Sequence, residues 1–191
     1  MSVVASWERI ENWLQGNGIE PKPPLEATTL TAAQALGHPL PADLTESLLR
    51  HDGSPRTLVP PRWTLLPLQT SLDVWKRKTD DLAARQAAEI EEIDEDEEED
   101  FSAVEEGEED AFWGWNAAWF PVAGDGGGCH LVVDLRTGVL GEHDPETGTR
   151  FGSPWRSVAE LLEATAAALH GEDPEWRAAV VEWGIDWTRA G

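Results

Sequence analysis

The side chains most able to do chemistry in this chain are carboxylates, and many of them lie in one run. Glu89 to Asp110 holds 15 acidic residues and no basic one. Within it, the ligand positions of a calcium loop are matched by Asp94, Asp96, Glu98, Asp100, Ser102 and Glu105. The sharp turn of such a loop needs glycine at its sixth position, where this chain has Glu99. We therefore predict no metal site here, and expect either a solvated, flexible insertion at about 91–110 or an electrostatic docking element for a basic partner.

A glycine-rich segment, Gly124 to Gly128, is the only other feature that suggests ligand binding. A loop that cradles phosphate opens a helix and usually brings a lysine, whereas this segment joins two predicted strands. We predict a tight β-hairpin with its turn at Gly126–Gly128, in which glycine supplies positive φ and Asp125 is a turn residue. No nucleotide or other cofactor is expected.

Histidine and cysteine are too sparse to indicate a catalytic or zinc site. The five histidines have no spacing of three or four residues between them, and the single cysteine, Cys129, has no partner at metal-ligand spacing. Cys129 and His130 are neighbours on a predicted strand, so their side chains should point to opposite faces. We predict no catalytic residue, and hence no enzyme. The histidines are His38, His51, His130, His143 and His170.

The charge balance restricts the possible partners. Acidic side chains number 37 and basic ones 14, so the formal net charge is −23, and it is −8 without the 15 acids of the run. Nucleic acid and anionic membranes are poor partners for such a surface. The N-terminus lacks a signal-peptide pattern, no apolar stretch is long enough to span a membrane, and one cysteine cannot form an intramolecular disulfide. We expect a soluble, cytoplasmic protein.

The elements that would position these side chains begin with three predicted helices. Ser6 precedes apolar residues at helical spacing, and Gly16 and Gly18 end that helix. The segment Thr31–Gln34 has the form of a capping box with Gly37 as the stop. A third helix is predicted from Pro41 to Arg50, before a turn at 51–53.

Strands and further helices follow. We predict an edge strand or extended segment at 63–68, a helix from 71 to about 92, and an antiparallel meander whose strands cover 119–123, 131–135 and 139–140. Its core residues should include Trp119, Pro121, Leu131 and Val133. A capping box at Ser157 opens a helix that stops at Gly171, and Asp173–Pro174 opens a last helix within a C-terminal extension, 173–191.

These elements predict one α+β domain over residues 1–191, with N-terminal helices packed on a mixed, mostly antiparallel sheet and with C-terminal helices. An ordered series of motifs within it resembles the SUKH superfamily, in the branch named after the fungal cell-wall regulators Smi and Knr. The resemblance covers roughly residues 5 to 170, and the acidic run and the C-terminal extension depart from it. The motifs are Trp7–x–x–Ile10–Glu11–x–Trp13–Leu14, Leu36–Gly37–x–x–Leu40–Pro41–x–Asp43–Leu44, Leu48–x–x–His51–Asp52–Gly53, Leu65–Leu66–Pro67–Leu68, Trp75, Trp119–Phe120–Pro121–Val122–Ala123–x–Asp125–Gly126–Gly127–Gly128 and Leu131–x–x–Asp134–Leu135.

The resemblance implies a domain that binds proteins and does not catalyse. Many bacterial members are immunity proteins that neutralise a cognate polymorphic toxin, often a nuclease, whose basic cleft an acidic inhibitor would complement. The alternative is a regulatory interaction hub of the Smi/Knr type that controls cell-wall synthesis or growth. The residues expected to bind a basic protein partner are Asp94, Glu95, Asp96, Glu97, Glu98, Glu99, Asp100, Asp125 and Asp134.

Overall fold

A computed structural model describes residues 2–92, 114–152 and 154–190. Its helices are α1 (Val3–Gly16), a 3₁₀ helix (Ala27–Leu36), α2 (Ala42–Arg50), α3 (Leu68–Glu92) and α4 (Val158–Leu169). Its strands are β1 (Thr64–Leu65), β2 (Trp119–Gly124), β3 (His130–Asp134), β4 (Leu140–Asp144), β5 (Gly148–Phe151), β6 (Trp176–Val181) and β7 (Gly184–Arg189). The predicted α+β class is confirmed.

Helix α1 forms because its apolar residues recur at helical spacing and become buried together. The side chains of Trp7, Ile10 and Leu14 are inaccessible to solvent. The N-cap is Ser2, whose side chain accepts a hydrogen bond from the backbone N–H of Ala5. The predicted start at Ser6 was therefore wrong by about one turn.

Polar contacts join α1, α2 and α4 into one layer. The Trp7 indole donates to the Ser47 hydroxyl at 3.0 Å, which satisfies a buried N–H. Glu11 accepts two hydrogen bonds from Arg50, at 2.6 and 2.7 Å. One carboxylate oxygen of Asp43 accepts the Ala159 N–H at 3.0 Å, and this bond ties the start of α2 to the first turn of α4.

The main sheet is the predicted antiparallel meander with an additional strand. Its five strands lie in the order β1-β2-β3-β4-β5, each antiparallel to the next. Strand β1 lies at one edge, as predicted for the segment around it. Strand β5 was not predicted. It follows a turn in which Asp144 accepts the Glu146 N–H at 2.7 Å.

The two faces of the sheet contact different helices. Leu131, Val133 and Leu140 belong to the apolar core that includes α1, α2 and α4. Because side chains alternate along a strand, His130 and Val132 lie on the opposite face. Helix α3 packs on that face, since its Lys78 side chain reaches His143, the register partner of His130.

The C-terminal helix predicted within 173–191 was wrong, because this segment forms a hairpin of β6 and β7. The Asp173 side chain accepts the backbone N–H groups of Glu175 and Trp176, a pattern that an Asx turn shares with a helix N-cap. Ile185 and Trp187, two residues apart on β7, are both buried in the core. Burial of alternate residues, which a strand allows, therefore outweighs the helical propensity of this segment.

Other helix boundaries match the prediction in part. The 3₁₀ helix ends at Gly37 in the left-handed conformation, as predicted, but it begins at Ala27 and not at Thr31. Ser157 caps α4 by accepting the Glu160 N–H at 3.2 Å. Among the described residues, no helix combines the length and the hydropathy that a membrane span requires.

Candidate functional site

Asp125 is held by the β2–β3 turn. One of its carboxylate oxygens accepts the N–H groups of Gly127, at 2.7 Å, and of Cys129, at 3.1 Å. The glycines with positive φ are Gly126 (+80°) and Gly128 (+113°), whereas Gly127 lies outside that region. The side chain of Asp125 is only 11% exposed. The carboxylate therefore stabilises the turn, as expected of a turn residue.

The other oxygen of Asp125 faces a cation. Arg62 Nε lies 3.6 Å from it, and Nη2 of the same arginine donates to Glu142 at 3.0 Å. The Arg62 guanidinium also stacks 4.9 Å from the centroid of the Trp63 ring. Arg62 thus links the turn to β4, and it occupies part of the surface that Asp125 would offer to a partner.

Asp134, at the end of β3, is bound by Arg136. Its carboxylate accepts the backbone N–H of Arg136 at 2.9 Å and the guanidinium Nε and Nη2 at 2.9 and 2.6 Å. The side-chain hydrogen bonds from Arg136 are the main reason that the pKa of Asp134 lies below its usual range. Asp134 is therefore ionised and already paired at neutral pH.

Asp125 and Asp134 do not form one cluster. The register pairs Gly124 with His130 at one end of the β2–β3 hairpin and Trp119 with Asp134 at the other. The strand residues between them span on the order of 13 Å at about 3.3 Å per residue. The other predicted partner-binding residues, Asp94 to Asp100, lie outside the described residues, as does most of the predicted insertion at about 91–110. Whether any of these acids binds a partner stays a prediction.

A cluster of titratable groups that the sequence did not indicate lies between α3 and the sheet. Lys78 Nζ donates to His143 Nε2 at 3.2 Å, and His143 Nδ1 donates to the buried hydroxyl of Thr149 at 2.7 Å. His130 is the cross-strand neighbour of His143. The ring of Trp115 lies 5.2 Å from Lys78 Nζ and closes this side of the cluster.

Burial sets the charge state of this cluster. Desolvation, followed by the positive charge of Lys78, lowers the pKa of His143 to about 4. Desolvation likewise lowers the pKa of His130 and of Lys78 itself. Both imidazoles are therefore neutral at pH 7. The resulting hydrogen-bond chain from Lys78 to Thr149 fixes α3 against the strands.

The sequence alone could have indicated only approximately that His130 and His143 are cross-strand neighbours. A hairpin centred in the gap between the predicted strands 131–135 and 139–140 would place His130 opposite residue 144, whereas the structure places it opposite His143. A shift of one residue in a hairpin moves every side chain to the other face, so this pairing could not be assigned without the structure.

Burial, and the nearby Asp125 and Asp144 carboxylates, raise the pKa of the Cys129 thiol, so it is protonated at neutral pH and a weak nucleophile. Within 2–92, 114–152 and 154–190, no three His, Cys, Asp or Glu side chains are grouped so that they could hold a metal ion.

Comparison with known proteins gave one result that identifies the chain. The model of the SMI1 / KNR4 family (SUKH-1) matches residues 23–150, which is more than half of the 191 residues. The matched range begins in the connector before the 3₁₀ helix and ends within β5. No curated protein matches the chain.

Proposed function

The chain belongs to the SMI1 / KNR4 family (SUKH-1), and on that premise we propose that it is a non-catalytic immunity protein that binds and neutralises a cognate bacterial toxin. The observation that carries the proposal is the strong negative charge of this chain, which has 37 acidic and only 14 basic side chains. Such a surface attracts a basic protein over long range and repels nucleic acid.

The chemistry of the described side chains supports a binding role. The buried histidines are held in hydrogen bonds, the thiol is protonated, and the partly buried carboxylates of Asp125 and Asp134 are used in hydrogen bonds to their own turns. General acid–base or nucleophilic catalysis needs a group poised to exchange a proton or attack a substrate. These groups instead hold the sheet and its loops in place.

A toxin with a basic cleft, such as a nuclease, fits the charge best. Mutual attraction raises the association rate, and rapid capture protects the cell that makes the toxin. We place this encounter in the cytoplasm, and we assign part of the attraction to Asp94–Asp100 and to the acidic run around them.

A protection assay tests the proposal. The reading frames beside the gene are searched for a toxin domain, and one found there is expressed from an inducible promoter in a host that carries either this chain or an empty vector. We expect growth only with the chain, and we expect the two purified proteins to form a stable complex. Growth arrest in both strains, without a complex, would contradict the immunity role. Growth or cell-wall defects on deleting the gene from a cell that lacks such a toxin would favour the regulatory hub.

A further inference from the structure

Among the described residues, Trp183 is the most exposed large apolar side chain, with an exposed fraction of 52%. It lies in the turn between β6 and β7, and Val180 at the end of β6 is also exposed, at 45%. This hairpin lies outside the range that the family model matches. Exposed tryptophan is uncommon on a protein surface and is enriched among the residues that dominate binding energies at interfaces.

The turn that carries Trp183 is fixed to the loop before β1. The Ile185 N–H donates to the Arg56 carbonyl at 3.4 Å, and the Trp187 indole donates to the Thr57 carbonyl at 2.8 Å. Gly184 has a φ of +147°, and a Cβ there would lie 2.7 Å from the Arg56 carbonyl oxygen. Only glycine permits this approach. Trp183 therefore sits on an ordered turn, which lowers the entropic cost of using it as an anchor.

A cationic group lies beside this tryptophan. The Arg56 guanidinium stacks 5.6 Å from the centroid of the Trp183 ring. Among the described residues, no carboxylate lies within the 4.0 Å of an ion pair with Arg56. A cleft of about 460 Å³ extends from Trp183 and Arg56 to Arg62 and Asp125, with His130 in its lining.

The cation of this cleft that has no ion-pair partner among the described residues is Arg56, since Arg62 is paired with Asp125 and Glu142. Burial keeps His130 neutral. The chain as a whole carries −23. A guanidinium without an internal partner pairs best with a planar carboxylate, which it can bind through two hydrogen bonds.

We propose that this cleft docks an acidic segment of the partner protein, with a partner carboxylate on Arg56 and an adjacent apolar side chain on Trp183. The inference rests on the proposed function and adds where the partner is anchored. The two roles are compatible, because long-range attraction depends on the net charge of each protein whereas anchoring depends on the pairs in contact.

Two capped peptides test the cleft directly. The probes are acetyl-Gly-Leu-Glu-Asp-Leu-Gly-amide and a neutral analogue in which Gln replaces Glu and Asn replaces Asp. The readout is the indole N–H signal of Trp183 in ¹H–¹⁵N spectra of the full chain. This signal is assigned by its loss in Trp183→Phe. We expect the acidic peptide to shift this signal saturably, with a dissociation constant of about 1 mM. The neutral analogue should leave it unchanged.

Matched arginine variants test whether a carboxylate of the peptide binds Arg56. Arg56→Gln should weaken binding of the acidic peptide at least about tenfold. Arg189→Gln is the control, because Arg189 stacks 5.6 Å from the Trp176 ring at the other end of the same hairpin. It should leave the binding unchanged. Equal shifts from both peptides, no saturable shift, or equal losses in the two variants would each overturn the proposal.

A second measurement separates this inference from the immunity role. With the purified toxin domain, Trp183→Ala should weaken affinity by about tenfold or more, as expected for an interface anchor. If affinity is unchanged while the chain still protects cells, the docking site is wrong and the immunity role stands. If the peptide results are as expected but the chain does not protect cells, the immunity role fails and the cleft stands.

Discussion

Replacing Trp119 with alanine should destabilise the fold by about 3–5 kcal/mol. The side chain is 3% exposed and lies on the face of the sheet that α3 covers. Its ring centroid is 5.4 Å from that of Phe151, 6.0 Å from that of Trp115 and 6.2 Å from that of His143. Truncation therefore removes the centre of an aromatic cluster and leaves a cavity.

The magnitude follows from the buried area. A buried aromatic side chain removes roughly 150–250 Å² from water, which at about 25 cal/mol per Å² is worth roughly 4–6 kcal/mol. The denatured chain already buries about 10–40% of such area, so about 3–5 kcal/mol remains. The neighbouring rings would also lose van der Waals attraction to the indole, which places the expectation in the upper part of that range.

Urea unfolding followed by circular dichroism measures the effect. With a slope of about 2 kcal/mol per M urea, the midpoint of Trp119→Ala should fall by about 2 M. Trp183→Ala is the matched control, since that side chain is 52% exposed and should cost less than about 1 kcal/mol. A Trp119→Ala midpoint no lower than that of Trp183→Ala would refute the assignment of Trp119 to the core.

Three further expectations concern the sheet. Gly126→Ala should cost about 1 kcal/mol because the φ of Gly126 is +80°, whereas Gly127→Ala should be near neutral; comparable losses in thermal unfolding would contradict this turn geometry. Gly141→Ala should cost about 2–3 kcal/mol or more in the same assay, since a Cβ would lie 2.5 Å from the Arg150 carbonyl oxygen and 2.7 Å from the Phe151 ring; a neutral result would show that the two strands are further apart. Burial and a neighbouring lysine lower the pKa of His143 from 6.5 to about 4, so the folded state binds fewer protons than the unfolded state between these values. Stability should therefore be greatest above pH 6.5 and decline toward pH 4, with a shallower decline in His143→Gln; superimposable pH profiles would exclude His143 as the cause.

Local sequence signals predicted elements that depend on local chemistry. Ser157 caps α4 as predicted, and Gly37 and Gly171 follow their helices with positive φ. The Glu160 side chain accepts the Arg156 N–H in place of the Ser157 N–H that a full capping box would use. The meander was predictable because β-branched and apolar runs alternate with glycine turns. The predicted core residues Trp119, Leu131 and Val133 are buried, as is Pro121.

The C-terminal hairpin could not be predicted in the same way. Asp173–Pro174 is as suitable for an Asx turn as for the start of a helix, and Gly184 is as suitable for a hairpin turn as for a helix end. The deciding contacts are non-local, between β7 and the carbonyl groups of Arg56 and Thr57. A cleft formed by residues more than 100 positions apart in sequence leaves no motif, so Arg56 and Trp183 gave no signal.

The predicted acidic site illustrates a second limit. Composition identified carboxylates as the abundant side chains, but it could not show that Asp134 is bound by Arg136 or that Asp125 is used in its own turn. Hydrogen bonds of this kind depend on turn geometry, and the number of charged residues gives no information about that geometry. The acids with the greatest charge density, Asp94 to Asp100, remain the stronger prediction for steering a partner.

The rate of association with the toxin domain, measured on immobilised partner across a series of salt concentrations, tests the central claim most directly. The intact chain is compared with a chain that lacks residues 94–110. We expect the association rate of the intact chain to fall steeply from low to physiological salt while dissociation changes little, and the deletion to lower the rate and flatten its salt dependence. An association rate of the intact chain that is independent of salt would contradict the electrostatic capture of a basic toxin.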